Sequence, residues 1–327
     1  MHRRALLKLA AGAFAAAWGA SLHGQASFPS RPIRLVVPFP PAGPTDLFAR
    51  QYAVALGAAL GHPVVVENKA GASGAIGAME VMRARPDGHT LLFGTASTHA
   101  LYNLLAAKPQ YDSLKDFAPV AIVGGAPIVF IANPSLPPTL KEIVDQARAN
   151  PGKFRYGSPG QGTMMHLAAE RLKKEAGDVD IDHIPYKGSG QAKPALLGGQ
   201  IELMTDTLGA SLADHKAGKL RIVAIATASR SDIAPDVPTV DEALGTKGFE
   251  AVLWNVVAAP AGTPPAAMNA LAAATAKALA DPALRESLAR LGIKPETGSG
   301  PAAAAEYIRA EMGRWKPLVD ASGVKLD

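Results

Sequence analysis

Ile33-Arg34-Leu35-Val36-Val37-Pro38-Phe39-Pro40-Pro41-Ala42-Gly43-Pro44-Thr45-Asp46 changes character twice within one short stretch. Residues 33–37 are apolar at nearly every position, the mark of a strand buried on both faces of a parallel sheet. The prolines from Pro38 to Pro44 end it, because proline cannot donate to a sheet ladder. From 45 to 60 the spacing becomes helical, with Leu47, residues 53–56 and Leu60 near one face. Strand, proline–glycine loop and helix together open an α/β unit.

Working outward, residues 64–66 form the next predicted strand. A loop beginning Lys69-Ala70-Gly71 follows, then a helix over about 75–84, a Pro86-Asp87-Gly88 turn and a strand over 90–93. The same order returns later: strand 154–156, loop 157–162, helix 164–174, strand 183–186, loop 187–190, helix 191–197 and strand 201–205. The repeat is one of architecture, since the helices do not align in sequence, and it predicts two similar lobes. Two apolar segments, 120–132 and 251–259, are placed to cross between them. The fold class is therefore α/β with two lobes, each a mainly parallel sheet flanked by helices, joined by two crossing strands as a hinged clamp. The boundaries drawn from this are 27–125 plus 251–327 for the first lobe, including the helical tail from Pro264, and 126–250 for the second.

Residues 1–26 read as an export signal. Arg3, Arg4 and Lys8 precede an apolar run over 9–20, and Gly24-Gln25-Ala26 supplies small residues for cleavage after Ala26. The run is shorter than the roughly 20 residues of a membrane span. Arg3-Arg4 also suits a twin-arginine route, so a Sec or twin-arginine path to the periplasm is expected. Of the 33 Lys and Arg against 28 acids, the leader holds three bases and no acid, so the rest carries +2 rather than +5. Together with the lack of a basic patch interleaved with aromatics, this argues against a nucleic-acid partner. There is no cysteine, which excludes disulfides, thiol catalysis and cysteine metal sites.

In parallel α/β sheets ligands bind where strands end and helices begin. Four such places are rich in Gly, Ser and Thr: 38–46, 94–99, 157–163 and 186–190. Glycine lets the backbone approach a ligand closely, and the free N–H groups of a helix's first turn attract negative charge. Singly, Thr45, Asp46 and Thr163 are ordinary helix caps; four such loops over two lobes point to an anion site. Catalytic signatures are missing: Gly71-Ala72-Ser73-Gly74-Ala75 misses a nucleophile elbow by one residue, and there is no dinucleotide fingerprint or Walker A sequence. His99, His166 and Asp206 are the residues open to an acid–base role, against a plain structural one.

Read in order, these loops resemble the Bug receptors, the TctC-type periplasmic solute-binding proteins of tripartite tricarboxylate transporters. The resemblance runs from Arg31-Pro32-Ile33 to Thr45-Asp46 and through Val64-Val65-Val66-Glu67-Asn68-Lys69-Ala70-Gly71-Ala72. It continues in Pro86-Asp87-Gly88-His89-Thr90-Leu91-Leu92, Pro185-Tyr186-Lys187-Gly188, Leu197-Gly198-Gly199-Gln200 and Asp236-Val237-Pro238-Thr239-Val240, and ends with Ala259-Pro260-Ala261-Gly262-Thr263-Pro264. It implies a Venus-flytrap fold that closes on a small organic carboxylate and delivers it to a membrane permease, or presents it to a sensor kinase. It implies a monomer with no cofactor, no metal and no catalytic residue; the rival is a periplasmic α/β enzyme using Asp206 or His166 as base. Carried over by position, the ligand-binding residues are Phe39, Ala42, Gly43, Thr45 and Asp46; Thr95, Ser97 and Thr98; Ser158, Gly160, Gly162, Thr163, His166 and Asp206; and Trp254 near the hinge. The chain departs from the family pattern at Ala42 (usually glycine), at Met164 and Met165 (small residues), at Thr205 and at Asn255 (often Phe). Methionines facing the cleft would favour a ligand with an aromatic or alkyl body.

Overall fold

A computed structural model describes residues 28–326, so the leader expected over 1–26 lies outside the described residues. Strand β1 (Ile33–Val37) buries every side chain except Arg34. Helix α1 (Pro44–Leu60) leads to β2 (Val64–Asn68), and a short turn and α2 (Ala75–Met82) lead to β3 (Thr90–Thr95); β1 pairs in parallel with both strands. A π-turn (Ser97–Leu101) and α3 (Tyr102–Leu105) precede the long strand β4 (Phe117–Ala132) and α4 (Leu140–Ala149). The pattern then recurs: β5 (Arg155–Ser158), α5 (Met164–Glu175), β6 (Asp182–Pro185), α6 (Ser189–Leu197) and β7 (Leu203–Thr207), with β5 parallel to both β6 and β7. After α7 (Leu208–Lys216), β8 (Arg221–Ile225) and α8 (Val240–Leu244), strand β9 (Val252–Pro260) returns the chain to the first sheet.

The strand order is β2-β1-β3-β9-β4-β7-β5-β6. Read inward from either edge, β2-β1-β3-β9 matches β6-β5-β7-β4, with three parallel strands closed by an antiparallel one. The architectural repeat in the sequence thus becomes two lobes of the same winding. Both crossings are present and unequal. β4 pairs with β9 as far as Pro127 and with β7 and β8 from Ile128 onward, so one strand serves both sheets. The second crossing is brief. Ala251 donates to Ala226 of the second lobe at 3.0 Å and accepts from Ile128 at 3.3 Å, and Val252 is already in the first sheet.

The first lobe's core gathers Phe48 and Tyr52 of α1, Phe93 of β3, and Met268 and Leu271 of α9 (Pro265–Ala280), which with α10 (Pro282–Arg290) covers this sheet. Each such side chain stabilises the fold by about 1.5–3 kcal/mol when fully buried. Helix α11 (Pro301–Ser322) serves both lobes. Ala304, Ile308, Trp315 and Val319 fall on one helical face and pack in a cluster that holds Ala96 and Leu101 from the first lobe and Met164, Met165 and Leu167 from the second. Beyond it, Leu326 bridges to Ala106 and lies under Gly162.

Candidate functional site

The loop after β1 is held from below by Asp46. Its carboxylate, 2 % exposed, accepts from Ala42 N at 2.9 Å, Asn68 Nδ2 at 2.8 Å and Arg50 Nε at 2.9 Å. This fixes Ala42 in the left-handed region at φ 62°, where a side chain costs roughly 1–2 kcal/mol. Gly43 caps α1 without a side-chain hydrogen bond, and Pro44, lacking an N–H, starts the helix. The remaining N–H groups of that first turn have no side-chain partner.

At the end of β3, Thr98 Oγ1 accepts from Thr95 N at 2.9 Å and donates to Thr95 O at 3.1 Å, while Thr95 Oγ1 accepts from Ser97 N at 3.2 Å. Their hydroxyls are spent within the turn. Ser97 alone reaches outward: its Oγ accepts from Met164 N, in the other lobe, at 3.0 Å. The two lobes therefore meet in a closed arrangement.

In the second lobe Ser158 Oγ lies 2.7 Å from His183 Nε2 and accepts from Gly160 N at 3.2 Å. Thr163 caps α5 by accepting from His166 N at 3.3 Å, and His166 Nδ1 accepts from Gly162 N at 2.9 Å. The His166 ring stacks on His183, centroids 3.9 Å apart. Burial, then the neighbouring His183 and Lys173, push His166 down to about 3, so it is a neutral brace for the loop at neutral pH. Helix α6 starts from Gly188 (φ 105°) with no side-chain cap. Ser189 Oγ lies 3.2 Å from Asp206 Oδ1, which also accepts from Thr207 N at 2.8 Å, while Oδ2 has no partner. Burial pushes the Asp206 carboxyl above its ordinary range.

Between the lobes these loops enclose a cavity of about 210 Å³. Of the residues singled out in the sequence, Phe39, Gly43, Thr45, Ser97 and Thr163 line it. Ala42, Asp46, Thr95, Thr98, Ser158, Gly160, Gly162, His166 and Asp206 are not on its wall; they brace the loops that are. Met164 and Met165, raised from the sequence as candidates to face the cleft, are also on the lining; Pro40, Pro41, Pro44, Pro159, Lys187, Gly188, Ser189 and Gly190 lie in the candidate loops without having been named as contacts, and Gln191 and Leu253 were not singled out. The glycines at 188 and 190 marked their loop without saying which neighbours point inward. Among the described residues no three His, Asp or Glu side chains converge as metal ligands.

A closed two-lobed clamp with a cavity at its strand ends is the geometry of a solute receptor, and the sequence profile agrees. The family model described as "Tripartite tricarboxylate transporter family receptor" matches residues 48–324. The chain belongs to this receptor family. Protein BugT of Bordetella pertussis is 38 % identical over 302 residues, covering 92 % of each chain. Among solved structures, MatC from Rhodopseudomonas palustris with bound malate superimposes with a TM-score of 0.84 at 34 % identity, covering 89 % of this chain and 100 % of MatC. R. palustris Rpa4515 with adipate gives 0.86 at 33 % identity over 91 % and 99 %. The likeness extends over the two-lobed fold of periplasmic binding proteins.

This receptor's departures from the family pattern have local reasons. Thr205 Oγ1 donates to Met165 O at 3.0 Å, and Asn255 Nδ2 donates to Gly94 O at 3.3 Å, tying β9 to the end of β3. Trp254 lies on β9 at the hinge but faces away from the cavity, its indole N–H donating to Glu311 of α11 at 2.9 Å. Strand alternation explains it: Leu253 faces the cavity, so its neighbour must face the opposite side.

Burial of its histidines is expected to make the receptor lose stability in acid. Burial pushes His99 down to about 3, against about 6.5 in the unfolded chain. Across that interval the unfolded chain holds a proton that the folded one does not, so stability falls as pH falls, by up to about 1.4 kcal/mol per pH unit for this group. Urea midpoints at about pH 7 and about pH 5 are expected to diverge less in His99→Gln than in wild type; equal divergence would remove His99 as the cause.

Proposed function

We propose that this receptor, exported to the periplasm, captures a small organic carboxylate between its lobes and delivers it to the membrane permease of a tripartite tricarboxylate-type transporter. One observation carries the reading. The starts of α1 and α6, from opposite lobes and both without side-chain caps, line a single cavity that has no Asp or Glu on its wall. Each helix start favours an anion by about 0.3–1 kcal/mol, and by more when water is excluded. An anion placed there is held by both lobes, so it stabilises the closed form and makes that form the signal the permease reads. Malate and adipate in the two related structures are carboxylates of this size class.

The lining holds no histidine and no carboxylate to move a proton, so binding is expected without turnover. The test is native mass spectrometry of the purified protein followed by thermal melting against organic acids and neutral sugars. A true ligand at roughly 100 times its Kd adds about 2.7 kcal/mol of stability, a shift of several degrees. Melting raised by sugars and by no acid, or conversion of a bound acid to product, would overturn the proposal.

A further inference from the structure

Resting on the receptor reading above, we infer that the bound carboxylate has an uncharged apolar body, an alkyl chain or an aromatic ring, and is neither an α-amino acid nor a hydroxylated tricarboxylate. The cavity wall divides into two chemistries. Anion-binding groups centre on the two uncapped helix starts and Lys187, and the Ser97 and Thr163 hydroxyls and the Gln191 amide also lie on the wall. Most of the remaining wall is apolar: Phe39, Pro41, Pro159, Met164, Met165 and Leu253.

The methionines are held in place. Met164 donates its N–H to Ser97 Oγ and Met165 accepts from Thr205 Oγ1, so the first turn of α5 is anchored at two successive residues. Met165 keeps 4 % of its surface accessible and Met164 none, so Met165 faces the cavity and Met164 packs behind it. They also belong to the shared core under α11, so withdrawing them from the cavity would leave a void in that core. The thioether is polarizable and fits alkyl or aromatic surface, while it offers a carboxylate or hydroxyl almost nothing.

Size and charge narrow the class. A cavity of about 210 Å³ holds many times the roughly 10–15 Å³ that one water requires, room for a six-carbon chain or one ring with its carboxylates. A ligand ammonium would meet no acidic side chain on the wall. A third carboxylate, with two taken by the helix starts, would face methionine and leucine with little beyond the Ser97 hydroxyl to donate to it.

The test is calorimetric titration with succinate, glutarate, adipate, pimelate, benzoate, malate, citrate and glutamate. From succinate to adipate the affinity is expected to rise about fourfold per added methylene, with malate, citrate and glutamate at least about tenfold weaker than the best apolar-bodied acid. Met165→Ser, first checked for a single cooperative melt, is expected to lose about tenfold on adipate or benzoate and almost nothing on succinate, and Met164→Ser to lose less. Affinity that is flat or falling with chain length, citrate or glutamate as the tightest ligand, or serine variants with the wild-type profile would each overturn the inference while leaving a carboxylate receptor intact. Failure of every acid to bind would instead overturn the receptor reading, and this inference with it.

Discussion

Gly209→Ala is expected to lower ligand affinity by about 5- to 150-fold, the equivalent of the roughly 1–3 kcal/mol that overpacking costs. Gly209 sits in the first turn of α7, in the second lobe, with an ordinary helical backbone, so alanine meets no conformational objection there. The obstacle lies in the other lobe. A Cβ at this position would stand 2.2 Å from Leu291 O, 2.6 Å from its carbonyl carbon and 2.7 Å from its Cα. All three are backbone atoms and cannot rotate away. Next to them Gly292 packs on Ile233 and Leu208, again across the lobes. The substituted chain relieves the clash by holding the lobes apart, and the cavity then lacks one wall. Titration calorimetry measures the loss, and small-angle scattering with saturating ligand should report a larger radius of gyration than wild type. Wild-type affinity and radius in Gly209→Ala would show that this contact places no limit on closure.

Asp46→Ala is expected to cost about 1–3 kcal/mol in urea unfolding and to weaken binding along with it. Its carboxylate gathers three donors at 2.8–2.9 Å. Without it the Asn68 amide keeps only Phe39 O at 3.0 Å and one of its N–H groups goes unpaired, at about 1–3 kcal/mol, while the exposed Ala42 N–H turns to water. Arg50 is half exposed and returns to water, so its ion pair adds little. The tether that keeps Ala42 left-handed disappears as well, and with it the shape of the loop that carries Phe39 and Gly43 to the cavity. Asp46→Asn keeps one acceptor oxygen and should lose less. Burial pushes this carboxyl up, but hydrogen bonds from Arg50, Asn68 and Ala42 outweigh it and hold it below the usual range. Its contribution is therefore complete above the unfolded value of about 3.9 and disappears only as pH falls through the lower folded one. Equal stability of Asp46→Ala and wild type at neutral pH would remove the staple from the account.

Strand–loop–helix order is readable in this sequence because the periods differ: β1 is apolar at nearly every residue over Ile33–Val37, and α1 begins where the prolines stop. The paired order of the lobes follows from the same signal, used twice. Side-chain direction is another matter. Leu253 and Trp254 are both apolar, and only their register against β4 decides which one meets the cavity. Met164 and Met165 start a helix whose rotation is set by Ser97 and Thr205, residues distant in the chain. Thr95, Thr98 and Ser158 carry hydroxyls at strand ends, as ligand-contacting residues do, yet those hydroxyls close turns. Loops were legible from glycine and proline; the atoms they present depend on long-range partners that no local pattern encodes.

β4 has a consequence for how this molecule comes apart. Its first stretch pairs with β9 along one flank, with a second partner only at Gly124 and Gly125, and its last residues are an interior strand of the other sheet. Neither half of the protein is complete without it. Removing it would leave β9 in one sheet and β7 and β8 in the other with raw edges, their N–H and C=O groups open to any passing strand. The lobes therefore share one cooperative transition rather than melting in turn. A twist of this strand would turn one lobe against the other while the strand stays hydrogen-bonded to both sheets, so a single stretch of backbone serves the receptor as both axle and keystone.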